Sequence, residues 1–301
     1  MEAFRPKSYM SQLPKLKLWF EGSRPKTIPA AIVPVIVGTA SIETSLTLHR
    51  FLLALLVSIA LQVGVNYAND YSDGIRGTDQ DRIGPRRLVG SGLIKSKQVK
   101  LAAGISFLIA AIAGLVLAIM TSLLLILIGS AAILAAWFYT GGSKPYGYSG
   151  YGEISVFVFF GLVATAGSSY VQSETIESIS ILCSVPVGLL ASALLVVNNF
   201  RDIETDSETG KQTFAVRLGK SRTQMFFTLL LLVSLGMYVL IAVLYTYLVL
   251  ITLTVIPLSL KLIYDIYSKE NAQDLIKILE NTAKLHLLAG IMLSIGLAGG
   301  L

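Results

Sequence analysis

The sequence predicts an all-α, polytopic membrane helix bundle of nine transmembrane helices, and three observations carry that expectation. Of its 301 residues, 54% are hydrophobic and 14% charged, with a mean hydropathy of +0.71, whereas soluble domains carry roughly 25% charged residues. Apolar runs such as 122–140 and 226–250 meet the roughly 20 residues that a bilayer-crossing helix needs. Lysine and arginine then gather on one side of the resulting layout.

The predicted spans are 28–44, 51–69, 99–120, 122–140, 153–171, 178–199, 225–246, 248–267 and 284–301. The first holds Pro29 and Pro34 and is expected to kink or to begin as a broken turn. The seventh and eighth are separated only by a short tyrosine-containing turn. Residues 1–27 carry Lys and Arg and lack an apolar core, so no cleavable signal is expected. No linker or low-complexity segment divides the chain, which is read as one domain over 1–301. With the N-terminus cytoplasmic, the inner segments and the span ends beside them collect every Lys and Arg except Arg50. That is the positive-inside pattern of a multi-pass protein of the cell membrane with an external C-terminus. The net charge of +6 therefore reads as topology and attraction to anionic lipid, with no nucleic-acid partner. A lone Cys183 excludes a disulfide scaffold and a cysteine metal site.

Acidic residues at a bilayer are costly and mark function, and here they cluster twice. After the second span stand Asn66, Asp70 and Asp73, with Arg76, Asp79, Asp81 and Arg82 beyond; after the sixth stand Asn198, Arg201, Asp202 and Asp206, with Glu204, Glu208 and Lys211 beyond. The spacings i, i+4, i+7 and i, i+4, i+8 put each trio on one face of a continuing helix. An even number of spans precedes each, so both emerge on the cytoplasmic side. Carboxylates held close together repel, and hard oxygen donors suit Mg²⁺, which pairs a few carboxylates with substrate phosphate oxygens. The pattern points to Asp-tipped helices holding Mg²⁺ ions that grip a diphosphate on an oily chain. Asp79, Asp81, Glu204 and Glu208 read as solvated loop charges.

The loop after the fourth span runs Tyr139-Thr-Gly-Gly-Ser-Lys144-Pro-Tyr146-Gly-Tyr148. Lys144 is a point charge suited to phosphate, and the tyrosines offer π faces to a carbocation; an interfacial aromatic belt is the plainer alternative. Arg76, Arg82, Arg86, Arg87, Arg201 and Lys211 lie near the acidic clusters, and the sequence does not divide them between diphosphate and lipid. Arg24-Pro25-Lys26-Thr27 either reaches an anionic substrate group or anchors the first span. His49 and His286 lack metal-ligand spacing, and no nucleophile triad, P-loop or dinucleotide fingerprint appears.

The stretches 18–40, 66–94, 139–161 and 198–219 together resemble the UbiA superfamily of intramembrane aromatic prenyltransferases, and within it the 1,4-dihydroxy-2-naphthoate branch of menaquinone synthesis. The resemblance implies a nine-helix bundle around a central cavity open to lipid. It implies that Asn66, Asp70 and Asp73 form one Mg²⁺-diphosphate motif and Asn198, Asp202 and Asp206 the other, with Tyr139 and Lys144 seating diphosphate and Asn66, Asn198, Arg76, Arg82, Arg201 and Lys211 assisting. The implied partners are a polyprenyl diphosphate, 1,4-dihydroxy-2-naphthoate and membrane lipid; the implied product is demethylmenaquinone, with CO₂ and diphosphate released. Asp73 or Asp79 is then a candidate base for the ring hydroxyl. Rival readings are a sibling acceptor (4-hydroxybenzoate, homogentisate, or a phytyl donor with naphthoate) and a cation or polyanion transporter. The transporter reading lacks a matching polar ladder on the external side.

Overall fold

The computed structural model describes residues 15–77 and 87–300, and among these every regular element is helical. A short amphipathic α1 (Lys15–Gly22) and a single turn, Pro25–Thr27, lead into α2 (Pro29–Ala40). Then come α3 (Leu48–Arg76), α4 (Ser96–Met120), α5 (Leu124–Phe138), α6 (Gly152–Ser173) and α7 (Ser178–Arg201). The chain closes with α8 (Ile203–Glu208), α9 (Phe214–Leu244), α10 (Tyr247–Ser268) and α11 (Ala272–Ala298).

Every predicted span falls on a helix, but the lengths differ from the expectation. Seven helices are long and apolar enough to cross a membrane, while α2 and α5 are shorter apolar helices. At about 1.5 Å per residue, the 12 residues of α2 reach about 18 Å of a roughly 30 Å hydrocarbon layer. It stops because Ser41 folds its hydroxyl back onto the Gly38 carbonyl, which competes with further helix. In the other direction, α11 begins at Ala272 and not near 284. Its charged first turns still bury Leu275, Ile278 and Thr282 on one face. Helix α9 likewise begins at Phe214, and it is broken at Gly219, whose φ of 73° suits glycine.

The helices form two groups. One contains α3, α4 and α5; the other contains α7, α9, α10 and α11; α2 and α6 pack against members of both. The second group encloses the larger core, around Phe227, Tyr238, Ile241, Leu262 and Leu293. The first has a smaller one, around Tyr67, Leu88, Val99 and Phe107. Between the groups lies a cavity of about 2110 Å³. Helix α6 borders it with a wide-turned segment, Phe157–Val163, of the kind that recurs at functional sites. Immediately behind, α6 and α7 cross so closely that a Cβ on Gly161 would stand 2.7 Å from the Gly188 Cα. Only a pair of glycines permits that approach. The outer faces present Leu108, Ile119, Leu127, Leu229 and Val243, as a lipid-facing surface should.

Candidate active site

Helix α3 runs unbroken to Arg76 because residues 48–76 contain no proline and end on a left-handed Gly77. Asn66, Asp70 and Asp73 are therefore carried on a true helix. The second motif departs from the expected geometry. Helix α7 ends at Arg201, Asp202 leaves the helical region (φ −97°, ψ 8°), and α8 restarts at Ile203. Asn198, Asp202 and Asp206 thus do not share one continuous helix face. The tightened last turn, in which the Asp202 N–H bonds the Asn199 carbonyl, swings Asp206 round toward α3.

That swing brings the two motifs together. Lys211 Nζ stands 3.7 Å from Asp73 Oδ1 and 3.7 Å from Asp206 Oδ1, so the two carboxylate oxygens are separated by at most twice that distance. Arg87 Nη2 approaches the other Asp73 oxygen at 3.5 Å. The Tyr148 hydroxyl donates to Asp73, and its ring lies under Lys211 Nζ, 4.7 Å from centroid to nitrogen. Tyr148 is itself held by the Gln212 N–H, which donates to its carbonyl. All four charged groups are buried from the outer surface and line the cavity. Opposite charges withdrawn from the outer surface in this way interact more strongly than exposed pairs do.

Beside this centre, Arg201 gives Nε and Nη2 to both oxygens of Asp202 at 2.7 and 2.8 Å, and Nη2 also reaches Asn198 Oδ1 at 3.0 Å. Its Nη1 is buried with no hydrogen-bond partner among the described residues, which leaves one guanidinium donor for an anion in the cavity. Arg201, Asp202 and Asn198 all line the cavity. Asn66 takes a scaffolding share: its Nδ2 donates to the Ser23 carbonyl and to Thr27 Oγ1. With Gln62 on the same hydroxyl, it holds the turn in which Arg24, a cavity residue, adopts a left-handed φ of 53°.

Other expected residues stand elsewhere. Asp70 is 1% exposed and does not line the cavity; its carboxylate accepts the Leu88 and Val89 amides at 2.8 and 3.0 Å. Arg76 straps the end of α3 to the carbonyls of Thr140 and Gly142 and covers the Tyr148 ring. Lys144 is exposed and away from the cavity. Tyr139 does line it, its ring set edge-on to Tyr146. Arg82, Asp79, Asp81 and Arg86 lie outside the described residues. Glu204, as expected, is a surface charge: Lys220 at 2.8 Å holds its carboxyl below the ordinary range. The sequence reading passed over Asn69, which borders the cavity and accepts from the Thr140 hydroxyl, and Asn199; Arg87 and Tyr148, named there without a settled role, both meet Asp73. Asn69 and Asn199 each adjoin a motif asparagine or aspartate, so the signal was the doubled polar residue at each helix end.

The donor set fits a magnesium ion shared with phosphate. Among the described residues no three acidic, histidine or cysteine groups converge into a closed cage. Mg²⁺ instead favours one or two carboxylates plus substrate oxygens, which the Asp73–Asp206 pair offers.

Comparison with known proteins finds a family and relatives for the chain. Residues 31–288 match the model of the UbiA prenyltransferase family. A 1,4-dihydroxy-2-naphthoate octaprenyltransferase of Mycobacterium tuberculosis is 45% identical, covering 94% of this chain and 96% of that protein. Its namesake in Haemophilus influenzae is 38% identical over 95% and 97%. Among solved structures, a UbiA homolog from Archaeoglobus fulgidus bound to GPP and Mg²⁺ superposes with a TM-score of 0.68 at 15% identity, covering 92% and 99%. The apo UbiA homolog from Aeropyrum pernix gives 0.69 at 12%, covering 94% and 99%.

Proposed function

The chain belongs to the UbiA prenyltransferase family, and from that premise we propose that it transfers a polyprenyl group from polyprenyl diphosphate to 1,4-dihydroxy-2-naphthoate. Diphosphate and CO₂ leave, and the product is demethylmenaquinol, the reduced form of demethylmenaquinone. The observation that carries the reading is the meeting of Asp73 and Asp206 at Lys211, at one end of a large apolar cavity. Identity of 38–45% to proteins of that name over nearly the whole chain supports the acceptor.

In this reading the diphosphate lies against Lys211, Arg201 and Arg87, and the oily tail lies along Val35, Leu61, Ile128, Phe160 and Val163. Asp73, Asp202 and Asp206 would hold Mg²⁺, which would supply positive charge to the diphosphate group. The cations share that task, acting in a cavity where water is scarce. As the allylic C–O bond breaks, its electron pair goes to diphosphate and leaves an allylic cation. Tyr139 offers it an aromatic face. The electron-rich naphthoate carbon forms the new C–C bond, and its carboxylate departs as CO₂, returning the bonding pair to the ring. Orientation of both substrates in one cavity supplies much of the rate.

The same reading makes the chain a single transmembrane unit of the cell membrane, with N-terminus cytoplasmic and C-terminus external. Helices α2 and α5 complete nine crossings with the help of the polar turns at their ends. The direct test is purified protein in liposomes with dihydroxynaphthoate, a labelled prenyl diphosphate and Mg²⁺, followed by lipid extraction. Labelled demethylmenaquinol, recovered as demethylmenaquinone once air has oxidised it during extraction, is expected, and none after EDTA. Absence of that product, or its persistence without divalent ions, refutes the reading.

A further inference from the structure

Glu153, in the first turn of α6, is 5% exposed. The Asn199 side-chain nitrogen donates to its Oε1 at 2.9 Å, while Oε2 is buried with no hydrogen-bond partner among the described residues. A half-satisfied carboxyl in a membrane helix costs free energy that an apolar residue would not. Its place in the fold shows what the carboxyl does. The close crossing of α6 and α7 sets Glu153 against the last turn of α7. Ser192 ties the Glu153 carbonyl at 3.1 Å, so the backbone there is fixed as well.

Asn199 lines the cavity and Glu153 does not. A side-chain amide has one donating end and one accepting end, and a carboxyl oxygen takes the donating end whether or not its fellow carries a proton. The Asn199 carbonyl oxygen therefore faces the cavity, with no hydrogen-bond partner among the described residues. Such an acceptor selects among the substrates. A diphosphate and a carboxylate offer oxygens only; the ring hydroxyls of the aromatic acceptor are the groups that donate. Tyr139 borders the same corner, its hydroxyl 3.0 Å from where a Cβ on Gly152 would stand.

We propose that Glu153 is a positioning residue for the aromatic acceptor: it locks the Asn199 amide so that its oxygen receives a hydrogen bond from a ring hydroxyl. The inference rests on the dihydroxynaphthoate reading above. It is tested with the full-length enzyme in liposomes. Glu153→Leu should raise KM for dihydroxynaphthoate at least about tenfold, as expected where a site built for a hydroxyl loses its partner. KM for the prenyl diphosphate should not move. Glu153→Gln, whose amide oxygen still accepts from Asn199, should restore most of the loss, and Asn199→Leu should reproduce the same split if Glu153→Leu does not fold. The probe 2-naphthoate, which lacks both hydroxyls, should inhibit wild type and Glu153→Leu with the same Ki. An unchanged acceptor KM, a parallel change in donor KM, or an equal loss of 2-naphthoate affinity overturns the proposal. Failure of the wild type to prenylate dihydroxynaphthoate overturns the substrate reading itself, before any variant is made.

Discussion

At the end of α3, Asp70 turns from the cavity onto the amides of Leu88 and Val89, whereas at the end of α7 the residue in the matching place, Asp202, lines the cavity and holds Arg201. The other member of each pair behaves alike: Asp73 and Asp206 both face Lys211. The two helix ends share the interval of four from asparagine to first aspartate, yet only three of the four aspartates reach the cavity. The difference is in what surrounds each end. The first lies under a returning loop whose backbone needs an acceptor. The second is a kink where α7 breaks into α8, and there Asp202 lines the cavity with Arg201 on both of its oxygens. A repeated motif thus marks where polar residues gather, and the local chain path decides which copy of each residue faces the cavity.

This contrast is most sharply tested at the shared pair. Asp73→Asn and Asp206→Asn should each lower kcat by about a thousandfold, roughly 4 kcal/mol, with the protein still folded by circular dichroism. Removing the bridge by Lys211→Met should cost about a hundredfold in kcat/KM, because two buried carboxylates lose their cation and the diphosphate loses a partner. Lys211→Arg should recover little of it, since a planar fork does not replace a point charge between two oxygens.

A smaller effect of a different kind is expected at Asp70. Asp70→Asn leaves at least one of two buried amides poorly paired, at a cost of about 1–3 kcal/mol. A lowered thermal midpoint and faster amide exchange at Leu88 and Val89 should accompany a loss of activity well below that of Asp73→Asn. If Asp70→Asn stops turnover without changing the melt, the division between the helix ends is wrong. Smallest of all, Lys144→Ala should alter kcat/KM by less than about threefold, as for other exposed residues.

Much of this was legible in the sequence, for identifiable reasons. Apolar runs located every long helix, because a lipid-facing surface leaves no room for charge. The early starts of α9 and α11 were hidden, since their first turns carry Arg217, Lys220, Asp274 and Lys277 and only one face is buried. Span parity set both aspartate clusters on one side, but the meeting of Asp206 with Asp73 depends on the break at Asp202, which the spacing does not reveal. The settings of Asp70 and Lys144 were hidden too, because they depend on where the 87–91 and 139–151 segments run. Lys211 and Lys144 each follow a glycine-bearing loop, and no local feature says which one swings inward.

The central claim is that Asp73 and Asp206 act as one unit around the diphosphate of the prenyl donor. A double-mutant cycle on the affinity of a non-reactive prenyl thiolodiphosphate, measured with Mg²⁺ present, tests it directly. The account predicts strong coupling, with Asp73→Asn/Asp206→Asn binding no more weakly than the worse single variant. Losses that simply multiply would show two independent sites and contradict it.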